Sequence, residues 1–312
     1  MNYIQQAYKG KNETWMFVLT ALLVSGIFIL NFIMYLFTDP ADMEAAYEML
    51  KEIPGNLNLT INLLPFAFLL GLLFLLVKYL HHRSILSLTT ARLKVDWSRV
   101  FFSFSLIFII TVGSFLVSYY ANPDEFIIQF DPMKFTILLI ISLILFPFQI
   151  GLEEYLFRGY FMQQIGIMVK NRWFPLLITS VLFGLAHSAN PEVAEMGFIT
   201  MVFYIGTGLL LGIMTLMDDG LELALGFHFG NNILAALLVT ADWSALQTDA
   251  IFRYASEKPV NSVMEIVVPV LVFYPILLFI LSKKYKWTDW NTNLFGPVVK
   301  PVETEELENL GN

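Results

Sequence analysis

Apolar residues in this chain fall into long runs separated by short polar connections. Eight runs can be marked, at about 15–37, 59–80, 101–120, 135–160, 174–190, 198–217, 221–240 and 263–282. Crossing a hydrocarbon core takes about 20 apolar residues of helix. The pattern therefore predicts an all-α fold, a polytopic membrane helical bundle of about eight transmembrane helices. The connections are rich in Asp, Asn, Pro and Lys. One of them, "TDPADMEAAYEMLKEI", predicts a short helix outside the membrane, with Asp39 as its cap and Pro40 in its first position. No internal repeat or low-complexity tract is present. Residues 1–287 are expected to form a single transmembrane helical domain, and 288–312 a polar, mobile C-terminal tail ending in "ETEELENLGN".

Eight crossings put both termini on one side, and an excess of Lys and Arg marks the cytoplasmic side. With the N-terminus inside, the inner connections hold fourteen of the eighteen Lys and Arg residues. The outer ones hold four: Lys51, Lys134, Arg253 and Lys258. Both termini are therefore expected to be cytoplasmic.

Composition agrees with the pattern. Of 312 residues, 57% are hydrophobic and 14% charged, against roughly a quarter charged in soluble domains. The chain is expected to be an integral, multi-pass membrane protein whose first partner is the lipid bilayer. The first run, preceded by Lys9 and Lys11, exceeds the ~7–15 apolar residues of a signal peptide, so it counts as a retained span. No cysteine is present, which removes disulfides, thiol nucleophiles and thiolate metal sites together. The net charge of −8 comes with no basic stripe, so no nucleic-acid partner is expected.

Polar residues inside apolar runs carry the chemistry. A charge at the bilayer centre costs roughly 2.5–3.5 kcal/mol on insertion scales, so such groups face protein or water and usually have partners. Those here are Glu153, Glu154 and Arg158 in the fourth run, His187 in the fifth, and His228, Asn231 and Asn232 in the seventh. Residues four apart share a helical face. Glu154 and Arg158 can thus pair, while Glu153 points about 100° away and is left for another task. Phe183 lies on the face of His187, and Asn232 on that of His228, with Asn231 close to it. Gly226 and Gly230 flank His228 and permit close approach of a helix or a substrate.

Depth adds a constraint. His187 lies about 18 Å along a helix starting near Pro175, and His228 about 10 Å along one starting near Leu221. Glu153 reaches a matching level only if the fourth helix runs on past Phe161 toward Gly166. An over-long or bent fourth helix is expected, with Pro147 as the candidate bend.

One carboxylate, two imidazoles and a carboxamide from three helices suit peptide hydrolysis. Glu153 with His187 could orient and deprotonate water, and His228 with Asn232 could donate hydrogen bonds to the oxyanion. Alternatively, Glu153, His187 and His228 could hold zinc, the one cofactor the residues suggest, with an open position for water. Residue types do not choose between the two schemes. A serine mechanism lacks support: Ser180 and Ser188 lie near His187 in sequence, but spacing sets neither hydroxyl against a base.

The same residues resemble the CAAX-protease and bacteriocin-processing family of intramembrane proteases, abbreviated CPBP or Abi. The shared pattern is Glu153-Glu154-Tyr-Leu-Phe-Arg158, Phe183-Gly-Leu-Ala-His187 and His228-Phe-Gly-Asn-Asn232, and the resemblance covers about residues 146–238. It implies an all-helical membrane fold with a catalytic core at about 135–240. It implies catalytic roles for Glu153, His187, His228 and Asn232, with Glu154, Arg158 and Phe183 in support. The family has been described both as metalloprotease and as glutamate protease, so zinc stays open. The implied activity is an intramembrane endopeptidase acting on a membrane-associated peptide or protein, in the plasma (inner) membrane of a prokaryote. The competing readings are a proton- or ion-coupled transporter, since buried Glu, His and Asn also mark ion pathways, and a non-catalytic immunity or scaffold membrane protein.

Overall fold

A computed structural model describes residues 1–301 apart from 258, 260 and 261. After a 3₁₀ turn at Ile4–Lys9, helices α1 (Thr14–Val24) and α2 (Gly26–Phe37) meet at Ser25 with a 65° bend. Next come α3 (Pro40–Lys51), α4 (Gly55–Leu75, continued by a π turn to Leu80), α5 (Ile85–Thr89) and α6 (Trp97–Ala121). Strand β1 (Phe126–Ile128) precedes α7 (Pro132–Glu153), a π-helical stretch at Glu154–Phe161 and α8 (Met162–Val169). The chain continues through α9 (Trp173–Leu185), α10 (Pro191–Met196), α11 (Thr200–Met217) and α12 (Glu222–Leu237). Strands β2 (Val239–Thr240) and β3 (Phe252–Tyr254) follow, then α13 (Ser262–Val268), a π turn, α14 (Tyr274–Tyr285) and α15 (Trp290–Phe295). The short strands form one sheet, with β3 antiparallel to β1 and parallel to β2.

Local chemistry accounts for several boundaries. Asp131 caps α7 by accepting from the amides of Met133 and Lys134, and Pro132 occupies its first position. Asp96 caps α6 through Ser98 N. Asp39 accepts from Ala41 N at 2.9 Å at the start of the expected extramembrane helix α3.

The helical bundle is as expected, but the span count differs. Among the described residues, five helices are long and apolar enough to cross a membrane, or six with α1 and α2 taken as one broken span. The expectation was about eight. Each marked run does contain a helix, but α9 has 13 residues and α12 has 16. At 1.5 Å per residue these reach only about 20 and 24 Å, short of a hydrocarbon core of about 30 Å.

The fourth run behaves as its depth requires: α7, the π stretch and α8 form one 38-residue helix from Pro132 to Val169. Pro147 lies inside regular helix, and the irregularity falls instead on Glu154–Phe161. π segments within helices frequently occur at functional sites.

The two chain ends meet at one end of the bundle. Gln5 Nε2 donates to Val299 O at 2.8 Å, and Ile4 packs on Gly166 of α8. The same end carries an ion-pair network in which Asp218 accepts from Arg92 and Arg99, each at 2.8 Å. Burial raises the Asp218 carboxyl above its ordinary range, while both guanidiniums and the indole N–H of Trp287 oppose that shift. The tail expected to be mobile from 288 differs up to 301: α15 forms, and Leu294 and Val298 are buried beside Trp287. Those two apolar residues give the segment a reason to dock. The remainder, 302–312, lies outside the described residues.

Candidate active site

At the junction between α7 and the π stretch, Glu153, Glu154 and Arg158 are all buried. Arg158 Nη1 donates to Glu154 Oε1 at 2.9 Å, as the four-residue spacing predicts. Its Nη2 reaches the carbonyl of Gly208 on α11 at 3.4 Å, and its guanidinium lies 4.1 Å from the ring centroid of Phe183. The ion pair is therefore enclosed between α9 and α11. Gly208 permits that closeness, because a Cβ there would press on the backbone of Ser180.

His228 on α12 joins the two carboxylates. Its Nδ1 lies 2.8 Å from Glu154 Oε1, and its Nε2 lies 3.5 Å from Glu153 Oε2. A carboxylate holding Nδ1 fixes the imidazole orientation and places a hydrogen on that nitrogen. Nε2 is then the atom turned toward Glu153. The glycines beside His228 serve helix packing: a Cβ at Gly226 would collide with the Val100 carbonyl of α6, and one at Gly230 with Ile107.

Gln149, one turn before Glu153, extends the network. Its Nε2 donates to Glu153 Oε1 at 2.5 Å, and its Oε1 accepts from Asn232 Nδ2 at 3.1 Å. Asn231 Nδ2 in turn donates to Asn232 Oδ1 at 3.2 Å. Gln149 was absent from the sequence-derived site. The available signal was an amide inside an apolar run, four residues before a carboxylate. Glu153 Oε2 has no hydrogen-bond partner among the described residues, so one lobe of this carboxylate keeps its accepting capacity.

His187 lies apart from this cluster. It follows the last turn of α9, and its Nδ1 is 2.8 Å from Phe183 O. That oxygen only accepts, so Nδ1 carries the hydrogen and a neutral ring keeps its lone pair on Nε2. The ring is 4.7 Å from Phe183 and stacks on Tyr204 of α11 at 4.4 Å. Phe183 also lies 5.9 Å from His228; it is the apolar partition between the two imidazoles. Tyr204 OH donates to Glu192 Oε1 at 2.5 Å, which anchors the His187 stack to α10.

The zinc set does not assemble in this arrangement. Among the described residues no three His, Asp or Glu side chains stand together as metal ligands would. His187 faces Phe183 and Tyr204, whereas His228 is engaged by the two carboxylates.

Residues 133–234 match the family model of Rce1-like type II CAAX prenyl endopeptidases. This stretch is similar to the CAAX-protease family. The matched stretch contains the whole network from Gln149 to Asn232, together with Phe183, His187 and Tyr204. At family level this match supports a CAAX-type intramembrane endopeptidase. The chain is also 28% identical over 247 residues to a Bacillus subtilis (strain 168) protein, YyaK, described as uncharacterized. That alignment covers 77% of this chain and 83% of YyaK. No solved structure matches the chain.

Proposed function

We propose that this protein is an intramembrane endopeptidase that hydrolyses a peptide bond in a membrane-associated peptide or protein, with Glu153 as the base. The observation that carries this reading is the convergence of two adjacent buried carboxylates on one imidazole, at 2.8 and 3.5 Å. Glu154 is committed to Arg158 and His228. Each carboxylate is engaged through Oε1 and keeps an Oε2 without a hydrogen-bond partner among the described residues. Glu154, however, carries the counter-charge of Arg158, whereas Glu153 Oε2 lies 3.5 Å from His228 Nε2 and can accept a proton from the attacking water. Hydrogen-bonded to Glu154, His228 presents Nε2 toward the same point. In its protonated form it donates to the developing oxyanion and then to the leaving amine. Asn232 has a second N–H beyond the one given to Gln149 and supplies a further donor. His187 orients the water or the substrate once the substrate bridges the Phe183 partition.

The test is cleavage of synthetic membrane-associated peptides by purified protein, with products identified by mass spectrometry. Glu153→Gln keeps the size of the side chain and is expected to lower the rate by ~10²–10⁴-fold, the usual worth of a general base, with folding largely intact. Undiminished turnover by this variant would remove Glu153 as the base.

A further inference from the structure

A cavity of about 430 Å³ opens beyond the end of α9, lined from Ser188, the residue after His187. Its floor is Ser188–Pro191 and the exposed side of α10, which belong to the family domain. Its walls come from elsewhere in the chain: Tyr35 and Thr38 at the end of α2, Tyr47 of α3, and Asp242, Trp243 and Gln247 after β2. Tyr47 OH donates to Ala189 O, so α3 is fastened to the floor next to His187. The cavity lies at the far end of α9 from the chain termini, about 20 Å along that helix.

Its lining is aromatic and acidic. Tyr35, Tyr47, Phe198 and Trp243 contribute four rings, and Glu48, Glu195 and Asp242 contribute carboxylates, with no Lys or Arg among the described lining residues. Asp242 is paired with Arg253. Glu195 is exposed and forms no ion pair with a described residue. Behind the floor, Glu192 accepts hydrogen bonds from Tyr204, Asn190 and the Ala245 amide, with no cation among these partners. Glu195 on the floor and Glu192 behind it thus leave negative charge beside the cavity, and aromatic faces attract cations. A volume of this size falls in the range of ligand-binding pockets.

We propose that this cavity receives a lysine- or arginine-bearing stretch of the substrate chain and holds it beside His187. The inference rests on the peptidase reading, since it makes the occupant part of the substrate. Because half of the lining residues lie outside the matched family stretch, it assigns substrate choice in part to segments around the shared core.

The experiment measures binding separately from cleavage. Glu153→Gln protein in uncharged detergent is titrated with a fluorescent Lys-rich peptide and with a Glu-rich peptide of equal length, read by anisotropy. The Lys-rich peptide is expected to bind at least tenfold tighter, and more weakly as salt rises. Glu195→Gln is expected to weaken binding by about threefold, the scale of one exposed charge pair. Trp243→Ala is expected to weaken it by about fivefold, the scale of a cation–π contact. Equal binding of the two peptides, or Lys-peptide binding unchanged by both Glu195→Gln and Trp243→Ala, would overturn the proposal. Selective binding together with failure of the wild-type protein to cleave any peptide would instead count against the peptidase reading on which it rests.

Discussion

Two regions hold the candidate-site imidazoles, His228 and His187, and they are built differently. His228 sits in a hydrogen-bonded network running from Asn231 through Asn232, Gln149, Glu153 and Glu154 to Arg158. Its surroundings are charged, buried and supplied by two long-range helix contacts. His187 is held by one backbone carbonyl and two aromatic rings, and the next residue, Ser188, lines an open cavity. The first region is fixed by electrostatics in a buried interior, where breaking one partner strands a charge. The second is fixed by stacking, which leaves the ring nitrogen Nε2 uncommitted. On the proposed reading, a site that must hold a base ready and also admit a polypeptide needs both kinds of construction.

The largest expected effect separates the two carboxylates of the first region. Glu154→Gln leaves Arg158 buried without a counter-charge and is expected to cost about 3–5 kcal/mol of stability. Glu153→Gln removes no ion pair with Arg158 and is expected to cost far less. Thermal unfolding in detergent reads the difference, and equal losses would contradict the assignment of Glu154 as the structural partner. Next in size is Gly226→Ala. The added methyl meets the Val100 carbonyl, so α12 must move away from α6 and carry His228 with it. A loss of about 1–3 kcal/mol is expected from the overpacking, accompanied by lower activity; an unchanged protein would show that α12 has slack.

Smaller effects probe the second region. Tyr204→Phe keeps the stack on His187 and loses the hydrogen bond to Glu192, an expected cost of about 0.5–1.5 kcal/mol. Tyr204→Ala loses both and should lower activity further. If the two variants reduce activity equally, stacking does not position His187.

The smallest effect serves as a control, away from both regions. His81 is held below its ordinary imidazole pKa, first by burial and further by the Arg83 guanidinium, against the opposing pull of its hydrogen bond to Lys11 O and of Glu13. Its Nδ1 faces Lys11 O at 2.9 Å, and its Nε2 faces Tyr160 OH at 3.0 Å and Thr20 Oγ1 at 3.2 Å. The unfolded chain therefore binds this proton more readily than the folded one. The stabilisation is full above about pH 6.5 and is lost as pH falls through the lower folded value. The loss should not exceed about 1.4 kcal/mol per pH unit. His81→Gln should flatten this part of the stability–pH curve; an unchanged slope would assign it to another group.

The sequence by itself determined the class of the molecule and the local pairing of its buried charges. Apolar run length set the membrane helices, and buried charges at four-residue spacing set the Glu154–Arg158 pair. The depth mismatch between Glu153 and His228 required the long fourth helix that is observed. What it could not determine depends on contacts between distant segments. Gln149 gains meaning only when Asn232, 83 residues away, reaches it. The separation of His187 from His228 depends on how the ring of Phe183 packs between α9 and α12. The count of crossing helices changed because α9 and α12 are short, and apolar runs alone do not show where helices end. Periodicity is a property of neighbours along the chain, whereas convergence of side chains is decided by how whole helices pack.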